Sequence, residues 1–339
     1  MEKLSFASLS PLASKRFARF FYFRFDRLRI VVCVFAAIAC LLFLTSTSTP
    51  SIRRLALHQD SGSEPPFPKQ VWQCYTTVGP RNTSITHRDA FKATKIAAGT
   101  AGSWFPVDGD WSYRFIGSEA GTRFVQKHFK KQPDVVEVYT SLRVPVMLSD
   151  FLRYLLLAGE GGVYADSDVE MIKPLQDWVP EEYRNATRAM IGLDVDHAVK
   201  DEDEGWAFRF AQHTLVAAKG HPIMMNMVRN VTNKMIALAE EKHTKMSEIE
   251  LHDRDVVRIT GPRGFREIVF DHLSKETGVT VGWRNLTGIK EPKLFGDTLI
   301  VPINFFGGGQ AHSGSDGTSP DKRVQHYWKG TWRHWDESM

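Results

Sequence analysis

Two aspartates one residue apart, Asp166-Ser167-Asp168, carry the clearest chemical signal in this chain of 339 residues. They follow Val163-Tyr164-Ala165, an apolar run that predicts a buried strand. On a strand the two carboxylates share one face and converge on one point. Left alone they repel, and one of them holds its proton. A divalent cation removes that conflict. Hard oxygen ligands suit Mg²⁺ or Mn²⁺, which take a few carboxylates together with phosphate oxygens from a substrate. The carboxyl end of a strand is also where α/β sheets bind ligands.

The elements before the pair have to aim it. Met147, Leu148, Phe151, Leu152, Leu155 and Leu156 nearly encircle one helix, which is therefore buried. Asp150 and Arg153 sit inside that apolar surface at i and i+3, with Tyr154 beside them. Two readings compete for the pair. It is either a structural ion pair or a pair of groups facing a ligand. Burying two charges for stability alone is a poor exchange, because desolvation can exceed the Coulomb gain. Buried ionisable groups concentrate at functional sites, so the ligand-facing reading is the expectation, with little cost to folding if Arg153 is removed. Gly159, Gly161 and Gly162 then end the helix and allow a tight reversal into the strand.

Around this segment, short strand-like runs alternate with helical ones. Val135–Tyr139, Ala189–Leu193, Thr214–Ala218 and Leu299–Val301 read as strands, and Pro222–Lys242 and Phe265–Leu273 as helices. Such alternation predicts an α/β sheet with helices on both faces. A composition 42% hydrophobic supplies an ordinary core for it. The net charge of +4 is local. Residues 1–29 hold seven Lys and Arg against Glu2 and Asp26, so the remainder sums to about −1 and offers no basic face for nucleic acid.

The basic tail, 1–29, is followed by the uninterrupted apolar run Ile30–Leu44. The run covers roughly 22 Å as a helix, and Thr45 can extend it, which makes 30–45 a transmembrane signal anchor. The positive flank puts the tail in the cytosol and the rest in a lumen. A cleaved signal peptide is the other reading of such a run, opposed by the long basic stretch and the lack of an Ala-x-Ala site. Residues 46–66, rich in Ser, Thr and Pro, read as a stem, and 67–339 as one lumenal domain. Cys33 and Cys40 lie in the apolar run, which leaves Cys74 without a disulfide partner in the domain. Sequons at Asn82, Asn185, Asn230 and Asn285 fit a lumenal location.

Asp150-x-x-Arg153-Tyr154, Gly161-Gly162-x-Tyr164-x-Asp166-x-Asp168 and Lys173-Pro174-Leu175 together resemble the DXD-containing glycosyltransferases of family 32. The resemblance is to the fungal branch of initiation-specific α-1,6-mannosyltransferases that build N-glycan outer chains. It continues through Pro68–Gln73, Trp104–Phe115, Arg209–Gln212, Lys219–Pro222, Thr260–Pro262, Asp297–Pro302, Val324–His326 and Gly330–Trp332. Ser167 stands where the family usually has Thr or Ile.

That resemblance implies a GT-A-like, Rossmann-like nucleotide-sugar-binding domain in a type II Golgi membrane protein. The implied donor is GDP-mannose, the implied acceptor an N-glycan, and the implied cofactor Mn²⁺ or Mg²⁺. Asp168 is then the direct metal ligand, His326 a third ligand, and Asp166 a contact to ribose or sugar hydroxyls and to the metal's water. Asp150 and Arg153 hold donor-sugar hydroxyls, with Tyr164 beside them. Trp72 lines the base pocket or packs in the core. Lys329 and Trp332 belong to a closing C-terminal segment. Retention of configuration is implied, either through a carboxylate nucleophile, for which Asp194 and Asp196 are candidates, or by a front-face route that needs none. Other readings stay open: another sugar nucleotide, a sphingolipid acceptor, or a non-catalytic subunit of a Golgi mannan-polymerising complex. The acidic run Asp201–Glu204 reads as a solvated loop.

Overall fold

The computed structural model describes residues 67–76, 100–104, 111–197, 207–309 and 313–328. The basic tail, the apolar run 30–45, the stem, Asn82, the acidic loop 201–204, Lys329 and Trp332 lie outside the described residues. No helix among the described residues is long and apolar enough to cross a membrane.

Among the described residues seven strands form one mixed sheet in the order β2-β1-β3-β6-β5-β8-β7. The strands are β1 (Gln70–Tyr75), β2 (Ser112–Gly117), β3 (Gly162–Ala165), β5 (Ala189–Asp196), β6 (Phe208–Ala217), β7 (Lys293–Phe295) and β8 (Thr298–Val301). β1 runs parallel to β2 and β3, and β5 parallel to β8, while β6 is antiparallel to both β3 and β5. A second small sheet pairs β4 (Val169–Met171) with β9 (Val324–His326). Because Ala165 lies opposite Thr214 and Gly162 opposite Ala217, β6 starts at the end of the sheet where β3 stops. That shared end receives the acidic turn.

The helices are α1 (Ser118–His128), α2 (Pro133–Ser141), α3 (Pro145–Gly159), α4 (Pro222–Glu241), α5 (Asp253–Ile259), α6 (Pro262–Thr277) and the single turn α7 (Ile303–Phe306). Proline opens α2, α3, α4 and α6, where its missing N–H costs nothing and its φ is already helical. The apolar helix read before the Gly-Gly turn is α3, buried from Met147 to Leu148 and from Asp150 to Ala158.

Two expectations need correction. Val135–Tyr139 is not a strand but lies within α2. Its buried residues, Val135, Val138 and Tyr139, follow the i, i+3, i+4 spacing of a helix face, and Tyr139 packs 6.2 Å from Phe151 of α3. The helices also do not divide between both faces. Side chains from α1 to α6 join one core cluster with Trp72, Tyr164, Ile191, Phe210 and Leu215 of the sheet. The other face is covered by Trp104, Leu175, Trp178, Phe305, Phe306 and Val324, from short turns and the small sheet.

The reversal between α3 and β3 depends on its glycines. Gly161 and Gly162 have φ of +75° and +107°, and a Cβ on Gly162 would fall 2.3 Å from the carbonyl oxygen of Gln70. No side chain fits there. The sequons also divide. Asn185 and Asn285 are exposed, but Asn230 lies inside α4 with its amide nitrogen buried, and Thr232 gives its hydroxyl to Val228. Asn230 therefore does not present a surface acceptor in the folded chain.

Candidate functional site

β3 stops at Ala165, and Asp166, Ser167 and Asp168 form a turn rather than a continued strand. The carboxylates converge through that turn, not through the pleat expected from the sequence. Three backbone bonds hold it. Asp166 N donates to His213 O at 2.8 Å, Val169 N to Asp166 O at 3.0 Å, and Tyr327 N to Asp168 O at 3.1 Å. The last bond ties the turn to β9, and so brings His326 beside it.

Asp166, Asp168 and His326 each offer one ligand atom, and these atoms all lie within 4.8 Å of one another. His326 Nε2 is 3.2 Å from Asp168 Oδ1, a spacing that two neighbouring ligands of one cation share with a hydrogen bond. The Asp166 side chain is 26% exposed, that of Asp168 16% and that of His326 9%, so the group is reachable from outside. Two carboxylate oxygens and one imidazole nitrogen suit Mn²⁺ or Mg²⁺ with phosphate oxygens completing the shell. The residues present fit the cation that the sequence pattern implies.

Arg153 links α3 to this turn. Its Nη2 forms an ion pair with Asp150 Oδ1 at 2.9 Å and donates to Asp166 Oδ1 at 3.1 Å. Tyr164 adds its hydroxyl to the same Asp166 oxygen at 2.7 Å, and its ring lies under the guanidinium at 5.3 Å. Asp166 is thereby held through Oδ1, which leaves Oδ2 for a cation or a hydroxyl. On the far side, Thr260 donates its hydroxyl to Asp150 Oδ2 at 3.0 Å, and Tyr154 donates to Thr260 O at 2.9 Å.

Burial pushes the Asp150 carboxyl up to about 6, against the pull of Arg153. Burial opposes the charge on Arg153 too, but Asp166 and Asp150 outweigh it and hold the guanidinium charged. The either-or posed by the sequence therefore dissolves. Asp150 and Arg153 are each 6% exposed and closely paired, and the same Arg153 grips a residue of the acidic turn. This burial and pairing lead to the opposite expectation from that of the sequence, a folding cost when Arg153 is removed.

The remaining candidates separate. Tyr164 is 1% exposed and orients Asp166 from below. Trp72 is fully buried, donates its indole N–H to Gly161 O at 2.8 Å and meets Phe124 edge-on. The structure gives it the core role, not the base pocket. Asp196 accepts from the Thr287 hydroxyl and Gly288 N, which ties it to the loop after α6. Asp194 is 7% exposed, 3.5 Å from Arg209 Nη2 and 3.7 Å from His213 Nε2. Burial works against its charge, but His213 and Arg209 prevail and hold it below the usual carboxylate range.

Sequence reasoning missed His213. Its ring lies 4.3 Å from that of His326, and Trp328 lies 3.9 Å away on His326. Thus Asp194, His213 and His326 form a row that ends at Asp168. The one available signal was a histidine just before the apolar end of β6, Leu215-Val216-Ala217.

A family model described as a glycosyltransferase sugar-binding region containing the DXD motif matches residues 97–185, the stretch that holds α3, β3 and the acidic turn. Residues 97–185 are thus similar to the sugar-binding region of the DXD glycosyltransferases, in line with the motifs. Beyond that region the chain is similar to the initiation-specific α-1,6-mannosyltransferase of Schizosaccharomyces pombe, at 31% identity over 79% of this chain and 64% of the relative. The protein of the same name in Candida albicans is 25% identical over 81% of this chain and 74% of the relative. That of Saccharomyces cerevisiae is 22% identical over 80% of this chain and 79% of the relative. The chain thus spans about two thirds of the length of the S. pombe protein. Among solved structures, the PaToxG glycosyltransferase aligns with 62% of this chain and 72% of its own, at 17% identity and a TM-score of 0.39, too slight a likeness to argue from.

Proposed function

We propose that this chain is a metal-dependent, retaining glycosyltransferase that moves mannose from GDP-mannose to an N-glycan in α-1,6 linkage. The observation that carries the reading is the convergence of Asp166, Asp168 and His326, with Arg153 joined to the same turn. Mannosyl transfer is favoured because the relatives similar to most of this chain are named for it. A GT-A-like fold is supported by the acidic turn at the end of a central strand.

Asp168 and His326 would hold Mn²⁺, with Asp166 beside them. Bound there, the cation would supply charge neutralisation for a departing diphosphate. Arg153 and Tyr164 fix the orientation of Asp166, and that fixed orientation is what positions a bound sugar for attack. Asp194 and His213 stand behind His326 and limit its movement. Neither Asp194 nor Asp196 stands as an open carboxylate, which favours the front-face route over a covalent one.

For the cell, the same reading gives a Golgi membrane protein of single-pass type II topology. Support comes from the basic tail before Ile30 and from the exposed sequon asparagines Asn185 and Asn285. The test is a panel of GDP-mannose, UDP-galactose, UDP-glucose and UDP-N-acetylglucosamine with Mn²⁺ and an N-glycan or sphingolipid acceptor. Transfer from GDP-mannose to the N-glycan is the expected result. Transfer from another donor or to the lipid corrects the substrate, and no turnover with any donor overturns the activity.

A further inference from the structure

The chain leaving β6 exits at the end of the sheet opposite the acidic turn, because Ala217 pairs with Gly162 while Thr214 pairs with Ala165. At that far end three more chemical groups meet. His221 caps the start of α4, His272 lies on α6, and Asp297 lies in the turn between β7 and β8. One ligand atom from each lies within 4.8 Å of the others. His221 Nε2 is 3.1 Å and His272 Nε2 3.7 Å from Asp297 Oδ1.

A set of core histidines sharing one carboxylate is the plain alternative, and one atom argues against it. His272 Nε2 is buried without a hydrogen-bond partner, in a side chain only 4% exposed, and it points at the same carboxylate oxygen. Buried polar atoms of this kind call for an explanation. A fourth donor stands close by. Glu276 is one helical turn from His272 on α6, and its carboxylate lies over Gly296, where an added Cβ would fall 2.5 Å from Oε2. Gly296 has φ of +58° and precedes Asp297, so the glycine makes room for the carboxylate beside the cluster. The Asp297 side chain is 37% exposed, and Glu276 is exposed, which gives a cation a path in.

We propose that His221, His272 and Asp297, with Glu276 in reach, form a second divalent-cation site of Zn²⁺ type, remote from the acidic turn. Two imidazole nitrogens and one or two carboxylates are a donor set that zinc accepts in tetrahedral geometry, whereas the turn at Asp166 and Asp168 is richer in hard oxygen. In the free protein His221 Nδ1 accepts from Ile223 N at 3.3 Å, so its hydrogen sits on Nε2 and points to Asp297. Cation binding at Nε2 moves that hydrogen to Nδ1 and gives up the long cap at Ile223. The site joins α4, α6 and the β7–β8 turn, so its role is to fasten these elements together.

Chelator-stripped full-length protein titrated with Zn²⁺ against a chromogenic chelator tests this. Wild type takes up one equivalent more than His272→Gln, and Asp168→Asn keeps that equivalent. Equal uptake by wild type and folded His272→Gln overturns the proposal, as does loss of the equivalent in Asp168→Asn. Asp297→Asn, at a more exposed position, reads the same loss if His272→Gln does not fold. Co²⁺ added to wild type needs no variant. Intense visible bands of a tetrahedral nitrogen and oxygen set support the site, and only the weak bands of six-coordinate cobalt contradict it.

Discussion

Asp150 is 6% exposed with both oxygens engaged, Oδ1 by Arg153 and Oδ2 by Thr260. The Asp168 side chain is 16% exposed and meets His326 at 3.2 Å. The same residue type thus does two kinds of work. A carboxylate whose oxygens are all taken up inside the protein fixes architecture, and its removal is felt in stability. A carboxylate that keeps exposure beside an imidazole is available to a ligand, and its removal is felt in binding. Arg153 connects the two kinds, since one nitrogen serves Asp150 and Asp166 together.

The largest effect on activity is expected at Asp168. Replacing it with alanine removes one of the proposed cation ligands, so transfer should fall by about a thousandfold or more. The melting temperature should stay within a few degrees of wild type. Near-normal turnover of the purified variant with Mn²⁺ would break the contrast at its open end.

Arg153→Met comes next and should show in both measurements. Asp150 and Asp166 then face each other without their shared cation, and loss of one partner of a buried pair costs about 3–5 kcal/mol. Thermal unfolding and donor kinetics on one preparation check this. A variant that loses activity with unchanged unfolding would move the pair wholly to ligand binding.

Asp150→Asn should be milder and dependent on pH. The folded carboxyl titrates near 6, above its ordinary 3.8, so between about pH 4 and 6 the native state holds a proton that the unfolded chain has released. Stability contributed by this group is therefore full below about pH 4 and falls as pH rises through 6, by at most about 3 kcal/mol. Unfolding by urea across that range should lose this decline in the asparagine variant. An unchanged pH slope would mean that Asp150 does not carry the proton.

Trp72→Phe is the smallest. It removes the hydrogen bond to Gly161 and some core volume, about 1–2 kcal/mol, and should leave the donor KM alone. A raised donor KM with unchanged stability would return Trp72 to the base pocket.

Much of the site was legible because its information is local. Pro145 to Asp168 is one continuous stretch in which a helix, a Gly-Gly reversal, a strand and an acidic turn follow each other. The apolar period and the glycines announce each step. What stayed hidden depends on contacts between distant segments. His213 shows nothing of its role until β6 pairs with β3 and β9 brings His326 over it. Val135–Tyr139 looks like a strand by composition, and only packing against α3 selects the helix. Whether helices lie on one face or two is likewise set by which core each apolar stripe joins, a choice that no single segment records.

The central claim is that Asp166, Asp168 and His326 hold one divalent cation on which transfer depends. The most direct measurement is transfer from GDP-mannose by wild type and His326→Gln after exhaustive chelation, followed by titration with Mn²⁺. The account predicts that chelated wild type is silent, that Mn²⁺ restores it, and that His326→Gln needs a higher Mn²⁺ concentration for half of its rate. Full turnover by chelated wild type, or identical Mn²⁺ dependence in the two proteins, would contradict it.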